Sequence, residues 1–201
     1  MKPAEVTPAA PLRFTVLSCS LDPNSRSRVL AHLSRDVLAG AGHHVQLIDL
    51  RDTPLPPFDH HAVYDSPHHA TLHRAVQDAD GVVLAAPVYN WSLGSALKNV
   101  IEATGSTGEG RRAAWFDQLV TFVCSGGLPH SYMAAASLQT SLMLDFKCVL
   151  NPYQVYASGR DWQDDGQPVP ALRARLEKTL AVKAELAARL RGRTITSDWE
   201  I

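Results

Sequence analysis

Apolar runs and amphipathic stretches alternate along almost the whole chain. RFTVLSC (13–19), HHVQLIDL (43–50), GVVLAAP (81–87) and QLVTFVCS (118–125) are near-continuous apolar segments of strand length. A fifth strand is expected within KCVLNPYQVYA (147–157), where Pro152 predicts a bend or an edge. Between the strands, helical spacing predicts helices over 25–38, 69–78, 93–103, 131–144 and 170–190. The last carries Leu172, Leu176, Leu180, Leu186 and Leu190 on one face and charges on the other. The connections include a Pro-rich loop, TPLPPFD, and a Gly-rich one, GSTGEG. A strand that loses polar alternation is buried on both faces, so five such strands, each followed by a helix, specify an α/β domain: a parallel sheet covered on both sides. In the doubly wound 2-1-3-4-5 order, ligands sit at the carboxyl edge between strands 1 and 3, where the winding reverses. The loops SCSLDPNSRS and APVYNWS end those two strands.

The first loop packs Ser18, Ser20, Ser25 and Ser27 around Arg26, at the expected start of a helix. Hydroxyl donors, the open N–H groups of a first helical turn and the helix dipole together suit a phosphate, with Arg26 adding charge. The same serines also serve as ordinary helix caps and turn residues. Neither G-x-G-x-x-G nor G-x-x-x-x-G-K-[ST] is present. In the second loop, Pro87 is expected to end the strand, Tyr89 and Trp91 bring aromatic surface to the rim, Asn90 offers an amide, and Ser92 or Ser95 is placed to cap the next helix. Ser125, Gly126 and Gly127 bring backbone to the same edge. Three loops thus describe one crevice, with phosphate at the first and a planar heteroaromatic ring between the second and third.

On these residues the chain resembles the NAD(P)H-dependent FMN reductases of the flavodoxin-like superfamily, which include quinone, azo-dye and chromate reductases. ADGVVLAAPVYNWSLGSALKNVIE (79–102) is similar to the family's strand with P-x-Y-N and L-K-N, and SLDPNSRS (20–27) to its serine-rich phosphate loop. The resemblance implies a flavodoxin-like five-stranded parallel sheet with helices on both faces. It implies FMN with its phosphate on Ser20, Ser25, Arg26 and Ser27, and its ring among Pro87, Val88, Tyr89, Asn90, Trp91, Ser125, Gly126 and Gly127. It implies NADPH or NADH as hydride donor, a small acceptor such as free flavin or a quinone, and no catalytic side chain, because the cofactor carries the chemistry. A homodimer or homotetramer is expected, with the helix over 97–103 at the interface. The family's usual Gly-Ser-x-Arg reads Cys19-Ser20-Leu21-Asp22 here, and Asp22 is expected to turn outward.

Composition removes other classes. A chain of 201 residues with 45% hydrophobic and 19% charged residues fits a single globular domain over 13–192, with a loose arm (1–12) and a tail (193–201). The opening segment lacks the pattern of a signal peptide, and no run approaches the ~20 apolar residues of a membrane span. Three widely spaced cysteines read as free cytoplasmic thiols. A net charge of −1 favours a small-molecule partner over nucleic acid, and is unlike the strongly acidic electron carriers of this fold, the principal alternative reading. A second rival, resemblance to low-molecular-weight tyrosine phosphatases and arsenate reductases through Cys19, meets C-x6-R where those enzymes have C-x5-R-[ST]. Histidine pairs at 43–44, 60–61 and 68–69, with His73 four residues after His69, lack an identifiable third metal ligand.

Overall fold

The computed structural model describes residues 10–106 and 112–193. The apolar segments form β1 (Arg13–Ser18), β2 (His44–Asp49), β3 (Gly81–Tyr89) and β5 (Leu119–Ser125), with a two-residue β4 (Ser92–Leu93) folded back on β3. The helices are α1 (Arg26–Gly40), α2 (His69–Gln77), α3 (Ser95–Gly105), α4 (Ala136–Phe146) and α5 (Pro170–Leu190). The fifth predicted strand is broken in two, β6 (Val149–Leu150) and β7 (Val155–Ala157), both parallel to β5. Asn151 sits at the break, fully buried: its N–H bonds Val120 O and its side-chain amide bonds Thr179 O on α5, so the chain leaves the sheet, passes Pro152 and returns.

The strand order is β2-β1-β3-β5-β6, with every ladder parallel except the β3–β4 hairpin. With β6 and β7 taken as one interrupted strand and β4 set aside, this is the expected 2-1-3-4-5 sheet. Alternation along β3 serves both layers. Val82, Leu84 and Ala86 pack under α2, α3 and α4, and Val83 and Ala85 under α1 and α5.

Four expectations need correction. Pro87 does not end β3 but lies within it, paired with Ser125; the missing N–H goes unused because β1 has already ended, its last partner being Ala85. The helix expected over 131–144 begins instead as a 3-10 segment, Pro129–Met133, and α4 follows from Ala136. Residues 10–12 are not loose: Leu12 is buried, and Arg191 donates to the carbonyls of Ala10 and Pro11. The apolar residues of α3 expected at a subunit interface, Leu97, Val100, Ile101 and Ala103, are consumed in the chain's own core. The arm over 1–9, most of the GSTGEG loop (107–111) and the tail from 194 lie outside the described residues.

Candidate functional site

β1, β3 and β5 are neighbours, so the three serine- and glycine-bearing loops emerge together at the carboxyl edge. The first is a chain of local bonds. Asp22 N–H donates to Ser20 Oγ (3.2 Å), Asn24 N–H to Asp22 Oδ1 (2.9 Å), and Ser27 N–H to Ser25 Oγ (3.3 Å), which makes Ser25 the N-cap of α1. The Asp22 carboxylate is thus occupied by its own turn and exposed, as expected. Ser20, Ser25 and Ser27 are all buried, and the hydroxyls of Ser25 and Ser27 lie 2.8 Å apart. A hydroxyl has one proton to give. Ser20 spends only its acceptor on Asp22, and the Ser25–Ser27 bond uses one proton of two, so the loop retains two hydroxyl donors at a helix start that holds no carboxylate in its first turn. Arg26 is exposed, its guanidinium 5.4 Å from the ring centre of Trp162.

Sequence reasoning missed Arg28. It forms a largely buried ion pair with Asp49 at the end of β2, and its Nη2 also donates to Ser20 O (3.3 Å), pinning the serine loop to the neighbouring strand. The signal available was an acidic residue ending β2 beside a basic one in the first turn of α1.

The second loop is a hairpin rather than an open loop. Tyr89 pairs with Ser92, and the two turn residues, Asn90 (φ 49°) and Trp91 (φ 62°), are both left-handed. This is the two-residue turn whose twist matches the flanking strands; asparagine tolerates it, whereas tryptophan is strained there. Neither Ser92 nor Ser95 caps α3. Gly94 occupies the N-cap position and, having no side chain, offers no cap bond; its own N–H is turned back to Pro87 O. Tyr89 and Trp91 are exposed, and the Trp91 ring stacks on His130 at 5.1 Å, joining the second loop to the third.

The glycines of the third loop differ. A side chain at Gly126 would meet Tyr156 Oη at 2.6 Å, and its N–H bonds Ala157 O, so this glycine serves the returning β7. Gly127 accepts from Gly159 N–H (3.1 Å), and the space where its side chain would stand is open. Tyr156 Oη donates to Leu128 O, and partial burial raises its pKa above the ordinary phenol value.

A family profile described as NADPH-dependent FMN reductase matches residues 12–163. The chain belongs to this family. An FMN reductase (NADPH) from Pseudomonas putida is 37% identical over 89 residues, a match spanning 43% of this chain and only 45% of that relative. A probable NADPH:quinone oxidoreductase 2 from Oryza sativa subsp. japonica is 25% identical over 194 residues, 92% of this chain and 94% of the relative. Among solved structures, the flavoenzyme NAD(P)H:(acceptor) oxidoreductase of Paracoccus denitrificans superposes with TM-score 0.67 at 18% identity, covering 87% of this chain and 98% of its own. An apo NADH:FMN oxidoreductase gives 0.68 at 16%, covering 87% and 89%. This chain thereby shares its flavodoxin-like fold with these two solved structures.

The residues present fit FMN as the FMN reductase family would hold it: hydroxyl donors and a carboxylate-free helix start for the phosphate, aromatic rings and the open face of Gly127 for the ring. The phosphatase-like reading does not survive. Cys19 is fully buried, its thiol bonds Leu17 O, and burial followed by the neighbouring Cys124 pushes its pKa well above the ordinary thiol value, so no thiolate stands ready. Cys124 and Cys148 are likewise raised by burial, each to about 12. His69 Nε2 and His73 Nε2 lie against the carbonyls of Ala103 and Arg112, and no group of three metal-ligating side chains occurs among the described residues. Among the described residues, no helix is long and apolar enough to cross a membrane.

Proposed function

We propose that this chain is a flavoprotein oxidoreductase that uses NADPH or NADH to reduce bound FMN and passes the electrons to a small acceptor, a quinone or free flavin. The observation that carries the reading is the start of α1: three buried serines, two uncommitted hydroxyl protons and no acidic side chain in the first turn, on the same sheet edge as the aromatic hairpin. A dianionic phosphate is stabilised there by hydroxyls and helix N–H groups, with Arg26 nearby as the counter-charge. Pro87, Val88, Tyr89, Asn90 and Trp91 border the ring on one side, and Ser125, Gly126 and Gly127 on the other. FMN held here would supply the hydride-accepting chemistry, and this chain's residues would hold it and leave room for nucleotide and acceptor in turn. The family relatives, one an FMN reductase and one a quinone oxidoreductase by name, support this choice over an electron carrier. A homodimer or homotetramer in the cytoplasm accompanies the reading; since the apolar face of α3 is spent, the exposed Met143 and Leu144 of α4 are the better candidates for contact.

The test is optical. The purified protein shows flavin absorbance that bleaches on addition of NADPH under nitrogen, and it oxidises NADPH steadily when a quinone is supplied, which a carrier does not. Replacing Ser20 and Ser27 together by alanine removes two bonds to a charged group, each contributing about 1.5–3 kcal/mol, so FMN affinity falls about a hundredfold or more. Retention of flavin through dialysis by that variant sinks the phosphate assignment.

A further inference from the structure

Arg26 is the first residue of α1, a place that disfavours it. A helix start carries partial positive charge from its open N–H groups, so a cation there needs an anion or an electron-rich surface beside it. The nearby carboxylates are engaged elsewhere. Asp22 accepts from Asn24 N–H in its own turn, Asp49 pairs with Arg28, and Asp161 accepts from the Ser158 N–H and hydroxyl. Arg26 has neither hydrogen bond nor ion pair among the described residues; what it has is the face of Trp162, 5.4 Å from guanidinium carbon to ring centre.

Trp162 suits that contact better than it suits its surroundings. It is buried in the layer shared with α1 and α5, yet its indole N–H has no acceptor among the described residues. An unpaired buried donor is unfavourable, and phenylalanine would fill an apolar layer without one. What tryptophan adds is the aromatic face most attractive to a cation. Its backbone is fixed on both sides. Asp161, the preceding residue, closes a capping box with Ser158, and Trp162 forms a bridge with Pro168 across a turn held by Gln163 N–H on Gln167 O (2.8 Å). The ring is thus a fixed platform, and a guanidinium held by a ring uses none of its N–H donors. Ser25 and Ser27, buried and with a hydroxyl proton to give, flank this cation in the chain.

We propose that Trp162 is a positioning residue for the flavin phosphate: its ring holds Arg26 at the start of α1, and through Arg26 it sets the preference of the site for FMN over riboflavin. The inference rests on the FMN reading above. Without the ring, the helix start repels Arg26 toward solvent, and binding a phosphate must then order a long, free side chain.

Calorimetry on the flavin-free full chain, with FMN and riboflavin as ligands, isolates the phosphate, because ring system and ribityl chain are common to both. In Arg26→Gln, a change at an exposed side chain, the ratio of the two affinities falls about tenfold or more. In Trp162→Leu it falls about threefold or more, whereas Trp162→Phe keeps most of it. A tetrafluorinated tryptophan at position 162 weakens the ring's negative face while keeping its shape, so it repeats the loss even where the leucine variant does not fold. In the Arg26→Gln background, Trp162→Leu lowers the ratio no further, which separates positioning from a general loosening of the layer. An undiminished ratio in Arg26→Gln or with the fluorinated ring, or an equal loss from Trp162→Leu with and without Arg26, overturns the proposal while the FMN reading stands. A chain that binds neither flavin refutes that reading and takes the proposal with it.

Discussion

Arg28 and Asp49 illustrate how one ion pair beside a site holds that site's backbone in place. Their side chains are only 16% and 12% exposed, and Arg28 joins Asp49 to the carbonyl of Ser20 across two strands. Removing one partner of such a pair strands the other charge in a poorly solvated place, which costs more than the pair contributes over a well-packed apolar substitute. Arg28→Met therefore lowers the unfolding free energy by about 2–3 kcal/mol. Asp49→Asn alone costs less, because the amide oxygen still accepts from Arg51 N–H. The double variant is less destabilised than the sum, with a coupling of about 1–2 kcal/mol in a urea-denaturation cycle. Strict additivity of the two losses would show that the pair does not act as a unit. The serines beside it were legible in the sequence because hydroxyls at a helix start are a local pattern. The ion pair was not, because residues 21 positions apart meet only once β1 and β2 are in register.

At the scale of elements, the hairpin between β3 and β4 is where local propensity and tertiary demand disagree. Asn90 takes its left-handed φ at little cost, so Asn90→Gly changes stability by about 0.5 kcal/mol or less, while Asn90→Val costs about 1–2 kcal/mol through crowding of a branched side chain. Thermal melts of the two variants check the contrast, and equal melting temperatures would refute the assignment of strain to this turn. The two layers and the three loops followed from the succession of apolar runs and amphipathic stretches and from glycine, serine and proline positions, which report local chemistry, whereas the sheet order came from the fold class that the resemblance implied. The hairpin did not, because P-V-Y-N-W-S carries no Asn-Gly or Asp-Gly signal; Trp91 is held left-handed while stacked on His130, a residue of another loop. The break between β6 and β7 was half legible. Pro152 announced an interruption, but the anchoring of Asn151 to Thr179 depends on α5 lying across it. The contact between Arg26 and Trp162 was invisible for the same reason: the two belong to separate elements, and only the fold brings them together.

For the molecule as a whole, the two layers are locked by an unusual residue in α5. Lys183 is fully buried, its Nζ donating to Val82 O (2.9 Å) and Leu119 O (3.0 Å) at the starts of β3 and β5, with the Phe14 ring 5.5 Å away. Gly81 makes the room, since a side chain there would meet Nζ at 2.8 Å. Burial without a carboxylate partner drives the Lys183 pKa well below its ordinary value. A lysine depressed in the folded state binds fewer protons there than when unfolded, so between the folded value and the unfolded value near 10.4 stability rises with pH and is lost as pH falls. Tyr156 acts oppositely at the alkaline end, since its pKa is raised and folding disfavours its ionised form. That contribution is common to any pair of chains that differ only at position 183. Lys183→Met keeps a similar volume and deletes the titration, at the cost of two carbonyls losing a donor. Urea midpoints at pH 7 and pH 9.5 isolate the effect: from the lower to the higher pH the unaltered chain gains stability relative to Lys183→Met. Parallel pH profiles for the two chains would mean that Lys183 keeps its ordinary protonation inside the fold, and that α5 is held to the sheet by an ammonium rather than a neutral amine.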